Sequence, residues 1–259
     1  MLRATCCRIR RVIPGLMMNN KMRAAVKNVM KLVAQHLAIS TTVLLAACAT
    51  PSQQLSESVV WEINSLSSIG NAQVAVMGNP RVVNTNQRTA VAFDGDSDRL
   101  LVNANPLVNA TEFTIEIVFN PADAYPNNLE PRFFHIESPD NPNRRVTIEL
   151  RLNEKKQWYL NAYIKSEKSQ FTLIDSTKVH PMASWVHAAI TYKDREFVSY
   201  VNGQKELVGQ VDYMPIAANA KTSIGARMNQ VHWFNGEIAW VRITKKVLSP
   251  DEFLLLDKR

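Results

Sequence analysis

Short strand-like segments fill the chain from Val59 onward and constrain its fold more than any other feature. Fourteen such segments, rich in Val, Ile, Phe, Tyr and Thr, alternate with clusters of turn residues. They span residues 59–63, 72–77, 90–93, 99–102, 113–119, 132–137, 145–152, 158–165, 171–175, 185–192, 196–201, 205–211, 222–224 and 239–244. Strands at such short spacing predict an all-β protein, with two antiparallel sheets packed as a jelly-roll sandwich.

Helical signal is confined to the C-terminal end of the chain. Ser249 suits the N-cap of a helix and Pro250 its first position, ahead of an apolar run that ends at Leu256. We therefore expect one short C-terminal helix beside the sandwich.

Alternation within the segments predicts which side chains face solvent. In residues 158–165 every second side chain is apolar, so Tyr159, Asn161 and Tyr163 fall on the opposite face. Residues 147–152 divide in the same way, with Glu149 and Arg151 opposite the apolar positions.

Strict alternation across residues 132–137 puts Arg132 on the same side as Phe134. His135 and Glu137 fall on the other side, together with Phe133. If the three segments are neighbours, one sheet carries an outer face of His, Glu, Arg, Asn and Tyr side chains.

The basic excess of the chain belongs to its first residues. The sequence has 30 Lys and Arg residues against 23 Asp and Glu residues, a net charge of +7. Residues 1–47 hold eight of these basic side chains and no acidic one, so subtracting eight from 30 leaves 22 basic and 23 acidic groups, a net charge of −1. A neutral folded part argues against a nucleic-acid partner.

All the cysteines, Cys6, Cys7 and Cys48, lie within residues 1–47 or directly after them. The remaining chain therefore has neither a disulfide nor a cysteine nucleophile.

Residues 30–48 have the organisation of a secretory signal, with basic Lys31, an apolar stretch and small residues before Cys48. The run 45–48, Leu-Ala-Ala-Cys, resembles a bacterial lipobox, in which cleavage precedes the cysteine and the cysteine carries the lipid. Ala49 rather than Asp follows, which this resemblance connects with sorting to the outer membrane. An ordinary secretory signal with an incidental cysteine is the alternative.

These features predict the organisation of the whole chain. We expect a leader over residues 1–47, a lipidated Cys48, a polar tether over 48–57 and a sandwich over 58–259. The protein would then be a lipoprotein, held in the bacterial cell envelope at the outer membrane by its lipid anchor. Later methionines lead us to expect an over-called start, with residues 1–29 outside the true leader; they are Met17, Met18, Met22 and Met30.

Several blocks in the sandwich resemble, in family order, the laminin-G-like jelly-roll domains of the concanavalin A-like lectin/glucanase superfamily. The blocks are Phe93-Asp94-Gly95, Phe113-Thr114-Ile115-Glu116, Trp185-Val186-His187, Tyr200-Val201-Asn202-Gly203, Ile224-Gly225, Phe234-Asn235-Gly236 and Leu248-Ser249-Pro250. Most of these motifs are structural. The pair 202–203 suits a two-residue hairpin turn with positive φ, Trp185 and Phe234 are expected in the core, and His187 is expected to be a satisfied, buried histidine rather than a catalyst.

The resemblance implies carbohydrate binding, and the predicted outer face has suitable chemistry. Sugar recognition uses aromatic rings that stack on pyranose C–H surfaces and planar polar groups that bind hydroxyls. The candidate carbohydrate-binding residues are His135, Glu149, Arg151, Tyr159, Asn161, Tyr163, Arg227, Asn229 and Trp233. The same side chains also suit an ordinary solvated sheet with cross-strand ion pairs. We predict a non-catalytic, lectin-like domain whose partner is a glycan or another cell-surface ligand.

Two other classes of function stay open. A polysaccharide hydrolase or lyase of this superfamily would need paired carboxylates. The laminarinase-like motif Glu-x-Asp-x-x-Glu is absent from the sequence, so an enzyme would have to use Glu137 and Glu149, with His135 as acid or base. A structural or adhesion module that binds a protein partner is the other class.

Calcium is the one cofactor for which the sequence offers candidate ligands. Asp94, Asp96 and Asp98 place carboxylates in one turn, and carboxylates are ligands for this hard cation. The resemblance implies a structural calcium with a further Asp near the end of the domain, but that position is Ala239 here. A solvated turn held by Asx-type hydrogen bonds is the alternative.

Overall fold

Two antiparallel sheets are stacked in the computed structural model, which describes residues 58–256. The predicted leader, Cys48 and the tether lie outside these residues. The strands are β1 (Ser58–Glu62), β2 (Ser68–Ile69), β3 (Ala72–Met77), β4 (Arg81–Thr85), β5 (Arg88–Asp94), β6 (Arg99–Val102), β7 (Phe113–Pro121), β8 (Arg132–Ser138), β9 (Asn141–Leu152), β10 (Gln157–Lys165), β11 (Gln170–Ile174), β12 (His180–Pro181), β13 (Val186–Lys193), β14 (Glu196–Val201), β15 (Gln204–Gln210), β16 (Lys221–Ile224) and β17 (Asn235–Thr244).

The sheet order confirms the predicted two-sheet sandwich. One sheet has eight strands in the order β15-β14-β13-β7-β17-β5-β4, and β1 pairs with β17 at its side. The other has nine strands in the order β11-β10-β9-β8-β16-β6-β3-β2, and β12 pairs with β10. Strands distant in sequence, such as β7 and β17, lie side by side, so the position of each face depends on long-range pairing.

The core lies between the two sheets and has an aromatic centre. The Phe119 ring centroid is 4.6 Å from that of Phe133, 5.5 Å from Trp158 and 6.2 Å from Phe234. All four side chains are buried, which confirms the expectation for Phe234. Such edge and tilted contacts satisfy the ring quadrupoles while the rings exclude water from both sheets.

The strand boundaries follow the sequence pattern closely, with three omissions. Two of the missed strands, β2 and β12, contain two residues each and are too short to show alternation. The third, β4, pairs with β5 and is exposed or half-buried along its length, so it lacks the apolar face that marks a strand. The Asn202-Gly203 turn has φ of 49° and 77°, as a two-residue hairpin of this type requires.

The C-terminal segment forms a single 3-10 turn, Pro250–Glu252, where the sequence predicted a short helix. The helix does not continue because the apolar side chains that follow pack on the outer face of the eight-stranded sheet. Phe253 and Leu255 join one cluster there, and Leu254 and Leu256 join another. No helix of the described range has the length and hydropathy of a membrane span.

Family motif residues anchor this segment to the sheet. The buried Glu116 carboxylate lies 3.0 Å from His187 Nε2, accepts a hydrogen bond from Leu254 N at 2.8 Å, and pairs with Arg242. Thr114 Oγ1 accepts a hydrogen bond from Leu248 N. His187 is therefore buried, as expected, and its Nε2 is paired with Glu116, but its Nδ1 has no hydrogen-bond partner among residues 58–256.

Trp185 differs from its prediction. The side chain is only partly buried and packs on the outer face of the eight-stranded sheet, in the cluster that contains Trp240 and Leu254. The guanidinium of Arg88 lies 6.0 Å from its ring centroid. The core expectation was wrong because Val186, Ala188 and Ile190 form the face of β13 that points into the core. Alternation then places Trp185 on the opposite, outer face together with His187.

Candidate functional site

Strands β8, β9, β10 and β11 lie side by side and present one polar outer face. Glu149 in β9 is opposite Arg132 in β8 and Asn161 in β10. Thr147 is opposite Tyr163, which is itself opposite Thr172 in β11. The neighbours assumed from the sequence are therefore real, and their side chains meet on the same face.

A β-bulge changes the face assignment of β8. The register shifts between Arg132 and Phe134, so the extra residue Phe133 has no partner of its own. Phe133 and Phe134 both enter the core, with 1% and 0% of their surface exposed. Arg132 then lies on the outer face beside Glu149. The prediction that put Arg132 with Phe134 and sent Phe133 outward was wrong, because alternation fails across a bulge.

A cavity of about 170 Å³ opens on this face. We call it the arginine cavity, and its lining residues are Arg132, Arg145, Thr147, Glu149, Arg151, Asn161, Tyr163, Thr172 and Arg227. The volume is below the roughly 300 Å³ typical of pockets for drug-sized ligands. The cavity therefore suits a single small unit rather than an extended chain.

Two carboxylates hold two of the arginines in place. Glu149, whose side chain is 5% exposed, pairs with Arg132 Nε and lies 3.2 Å from Arg151 Nη2. Glu130, from the segment before β8, lies 3.0 Å from Arg151 Nη1 and 3.6 Å from Arg132 Nη2. This quartet fixes the guanidinium groups at the wall of the cavity with their charges largely compensated.

Asn161 forms part of the cavity lining without any hydrogen-bond partner. The residue is 0% exposed, and neither its amide nitrogen nor its amide oxygen finds a partner in the described range. A buried polar group left unsatisfied costs about 1–3 kcal/mol. A buried amide without a partner calls for an explanation, and the place of Asn161 in the lining of the cavity points to a polar ligand.

Two tyrosines supply ring surface on the same face. The Tyr163 ring lies 5.2 Å from the Arg145 guanidinium, and its hydroxyl donates a hydrogen bond to Gln170 Oε1 at 2.8 Å. Tyr159 is half-buried and lies opposite Arg151 in the sheet register. Both rings are candidates for stacking against a sugar ring.

His135 lies on the outer side of β8 but is shut off from solvent. It is 1% exposed, its Nδ1 accepts a hydrogen bond from Met228 N at 3.0 Å, and its Nε2 lies 3.1 Å from Glu137 Oε2. Burial lowers the pKa of His135 despite the nearby carboxylate. His135 therefore positions the loop that carries Met228 rather than lining the cavity, in contrast to its prediction as a ligand contact.

The predicted loop residues separate into three places. Arg227 reaches the arginine cavity. Trp233 lines a second, larger cavity of about 530 Å³ at one end of the sandwich. We call it the rim pocket, and it is lined by Asp94, Gly95, Asp96, Asp123, Ala124, Tyr125, Asn127, Asn128, His232, Trp233 and Asn235. Asn229 is exposed and lines neither cavity.

The turn carboxylates predicted to hold calcium are engaged by their own loop. Asp94 Oδ1 accepts hydrogen bonds from the backbone N–H groups of residues 96, 97 and 98. Asp98 is buried and accepts from Asn79 N at 2.6 Å and from Asp94 N at 3.0 Å. No group of three His, Cys, Asp or Glu side chains in residues 58–256 is arranged to hold a metal ion. The residues present therefore do not fit a calcium site, and the turn has the Asx-type bonding of the alternative.

The carboxylates considered for catalysis are also engaged. Burial alone would raise the pKa of Glu137, but the contact with His135 and the neighbouring positive charges outweigh it and lower that pKa. A general acid in glycoside hydrolysis needs a raised pKa instead. Glu149 is held between two guanidinium groups and is not free to attack a substrate.

Several residues of the cavity were not predicted as site residues. Arg145 alternates with Thr147, Glu149 and Arg151 along β9, so the same alternation that found Glu149 could have found it. Arg132 was hidden by the bulge. In the rim pocket, Tyr125 and Asp123 come from the loop before β8, where the sequence gives no periodicity.

The stacked antiparallel sheets and the polar outer face define a jelly-roll β-sandwich domain. A sequence model of the Concanavalin A-like lectin/glucanases superfamily, of the laminin G type, matches residues 93–253. The chain belongs to this superfamily, which confirms the resemblance seen in its motifs. No curated protein sequence matches the chain.

Solved structures with this fold include domains that bind different ligands. Domain 4 of AbnA, a GH43 extracellular arabinanase from Geobacillus stearothermophilus solved with arabinotriose, has a TM-score of 0.57 at 18% identity over 74% of this chain and 94% of that one. The binding domain of botulinum neurotoxin DC, solved with rat synaptotagmin II, has a TM-score of 0.57 at 15% identity over 76% of this chain and 50% of that one.

A third similar structure concerns cell entry of botulinum neurotoxin type C, described as dependent on interaction with two ganglioside molecules. It has a TM-score of 0.55 at 13% identity over 75% of this chain and 49% of that one. The chain thus spans about half the length of these neurotoxin chains. Identities this low show a shared fold and leave function to the site.

Proposed function

We propose that the sandwich is a non-catalytic carbohydrate-binding domain whose site is the arginine cavity and the tyrosines beside it. The observation that carries the proposal is Asn161, a fully buried amide that lines the cavity with no hydrogen-bond partner in the described range. A primary amide offers two donors and one acceptor, which match the alternating donor and acceptor character of sugar hydroxyls.

The ring surface of the face supports the same proposal. Tyr159 and Tyr163 are half-buried on the outer side of β10, two residues to either side of Asn161. A sugar bound to the amide would have an aromatic ring within reach on both sides. Superfamily membership and the arabinotriose bound to the AbnA domain agree with a glycan ligand.

The carboxylates of the face favour binding over hydrolysis. Hydrolysis of a glycoside requires one carboxylic acid that donates a proton and one free carboxylate. Glu149 pairs with two arginines, and Glu137 lies against His135 with a lowered pKa. Glu137, with its lowered pKa, is therefore not set up to donate a proton at neutral pH, and Glu149 is occupied by its two arginines.

The experiment is a glycan array with the purified chain, followed by titration of each hit against Asn161→Ala. One lost hydrogen bond is worth about 1 kcal/mol and the amide can make several, so we expect binding to weaken about tenfold or more. The matched control is Asn229→Ala, which removes an exposed amide outside both cavities and should leave binding unchanged.

The stability of Asn161→Ala distinguishes whether the Asn161 amide contacts a ligand or supports the fold. Removing an unsatisfied buried polar group should leave the midpoint of urea unfolding unchanged or raise it. A lowered midpoint in Asn161→Ala, or glycan affinity equal to that of Asn229→Ala, would reject this site. An array without any hit rejects the carbohydrate-binding proposal and favours a protein partner, and release of reducing ends from a hit favours an enzyme.

We also propose that the domain is a lipoprotein of the bacterial cell envelope, anchored at the outer membrane through Cys48. The lipobox-like run 45–48 supports this proposal. The test is membrane fractionation of Cys48→Ser, with Cys6→Ser as the matched control. Loss of the acyl chains should move the first variant to the soluble fraction, since stable anchoring needs two lipid signals. Unchanged membrane retention of Cys48→Ser would contradict the anchor.

A further inference from the structure

The charges that line the arginine cavity do not balance. Four of its lining residues are arginines and one is a glutamate. Glu149 and the adjacent Glu130 pair with Arg132 and Arg151, which accounts for two of the four cations. The charges of Arg145 and Arg227 have no ion-pair partner in the described range.

Arg145 and Arg227 are nevertheless directed to the cavity. Arg145 donates one hydrogen bond to the Pro142 carbonyl oxygen at 2.8 Å, and its guanidinium lies over the Tyr163 ring. Arg227 makes no side-chain hydrogen bond or ion pair within residues 58–256. Their charges help to lower the pKa of Glu137, but that carboxylate is in contact with His135 instead.

The positive charges that line the cavity repel one another. Burial, together with the charges of Arg227, Arg151 and Arg145, lowers the pKa of Arg132 to about 10. Like charges held together in a partly buried site repel each other more strongly than they would in water. A bound anion would relieve this repulsion, whereas a neutral ligand would leave it in place.

We propose that the arginine cavity binds the carboxylate of an acidic sugar unit, with Arg145 and Arg227 on the anion and Asn161 on an adjacent hydroxyl. The proposal rests on the carbohydrate-binding function above and specifies its ligand class. A guanidinium donates two parallel hydrogen bonds that match the two oxygens of a carboxylate. The cavity of about 170 Å³ has room for one charged unit, and the free amide supplies the donor and acceptor that a bare anion would not need.

The test compares three forms of the same oligosaccharides. The probes are uronate- and sialate-terminated oligosaccharides, their carboxyl-reduced counterparts, and sulfated counterparts of the reduced forms, titrated against the purified chain. We expect carboxylated probes to bind at least tenfold more tightly than the other two forms, and this preference to weaken as salt is raised.

Arg145→Gln and Arg227→Gln should each weaken carboxylate binding about tenfold or more, because each removes a charge-assisted hydrogen bond. The matched control is Arg144→Gln, which removes the same charge one residue away. Arg144 pairs with Glu167 at 2.7 Å outside the cavity, so its removal should change affinity little. The midpoint of urea unfolding, measured for each variant, verifies that the fold is intact.

The outcomes separate the two proposals. Equal binding of the carboxylated and reduced probes would overturn the acidic-sugar inference while the carbohydrate-binding function stands. Preference for the sulfated probes, or equal losses in Arg144→Gln and Arg145→Gln, would also overturn it. Absence of binding to every probe and to the array would reject both.

Discussion

Replacement of Glu116 by Gln tests whether the buried network under the C-terminal segment stabilises the fold. Burial alone would raise the pKa of Glu116, but hydrogen bonds from His187, Arg242 and the Leu254 N–H outweigh it and lower that pKa. Glutamine keeps the shape of the side chain and removes its charge. Its one oxygen can still accept from His187 and Leu254 N, as hydrogen bonds to a neutral group, but its NH2 group cannot accept from Arg242 Nε, so that contact is lost.

The expected loss follows from those contacts. A hydrogen bond to a charged group is worth about 1 kcal/mol more than a neutral one, so the two weakened contacts cost about 2 kcal/mol, and the lost contact with Arg242 costs about 2 kcal/mol more. For a domain of this size, 1 kcal/mol corresponds to about 2–4 °C in midpoint, so a loss of about 4 kcal/mol should lower the melting midpoint of Glu116→Gln by about 8–16 °C. Urea unfolding followed by tryptophan fluorescence gives the free energy directly.

The pH dependence of the unfolding free energy gives a second test of the role of Glu116. Because the pKa of Glu116 is lowered on folding, its contribution is fully present above its unfolded value near 4.5 and is lost as pH falls through the folded value. The difference between wild type and Glu116→Gln should therefore shrink below about pH 4.5. The control is Glu112→Gln, which removes the charge from the solvent-exposed contact with Lys193 and from a long hydrogen bond of 3.5 Å with Val247 N, and it should change the midpoint little. Equal midpoints for wild type and Glu116→Gln would refute the reasoning.

Three further predictions concern the titration of two histidines, the hydrogen bonds of Asp98 and the effect of calcium. The pKa values of His135 and His232 are lowered by burial, so their contribution to stability is complete above about pH 6.5 and decreases as pH falls. His135→Gln should flatten the slope of unfolding free energy between pH 7.5 and 5.5 more than His232→Gln does, and equal slopes would argue against it. Asp98→Ala leaves two backbone donors unpaired and should cost about 1–3 kcal/mol in urea unfolding, whereas calcium or a chelator should leave the wild-type midpoint within about 1 °C. A calcium-dependent rise would show that the turn does bind the ion.

The sequence by itself determined the fold class and much of the core. A short segment with apolar residues at alternate positions has one apolar face when it is extended, and it buries that face as a strand of a sheet. Two sheets built from such strands stack on their apolar faces as a sandwich. The Asn202-Gly203 pair has the positive φ angles that the predicted two-residue hairpin turn requires. The alternation in residues 158–165 also placed Asn161 correctly on the outer face.

Only the tertiary structure decided which polar side chains form a site. Arg132 reaches the cavity through a bulge, and Glu130 reaches the side chains of Arg132 and Arg151 from an irregular loop. Arg227 enters the cavity from the loop after β16, a strand that pairs with β8 across a long stretch of sequence. The alternation of side chains predicts the face of the strand on which each one lies, but it does not predict the strand register or the position of a bulge. Whether the Asn161 amide is satisfied or free depends on neighbours contributed by other strands, so its availability to a ligand is a property of the assembled sheet.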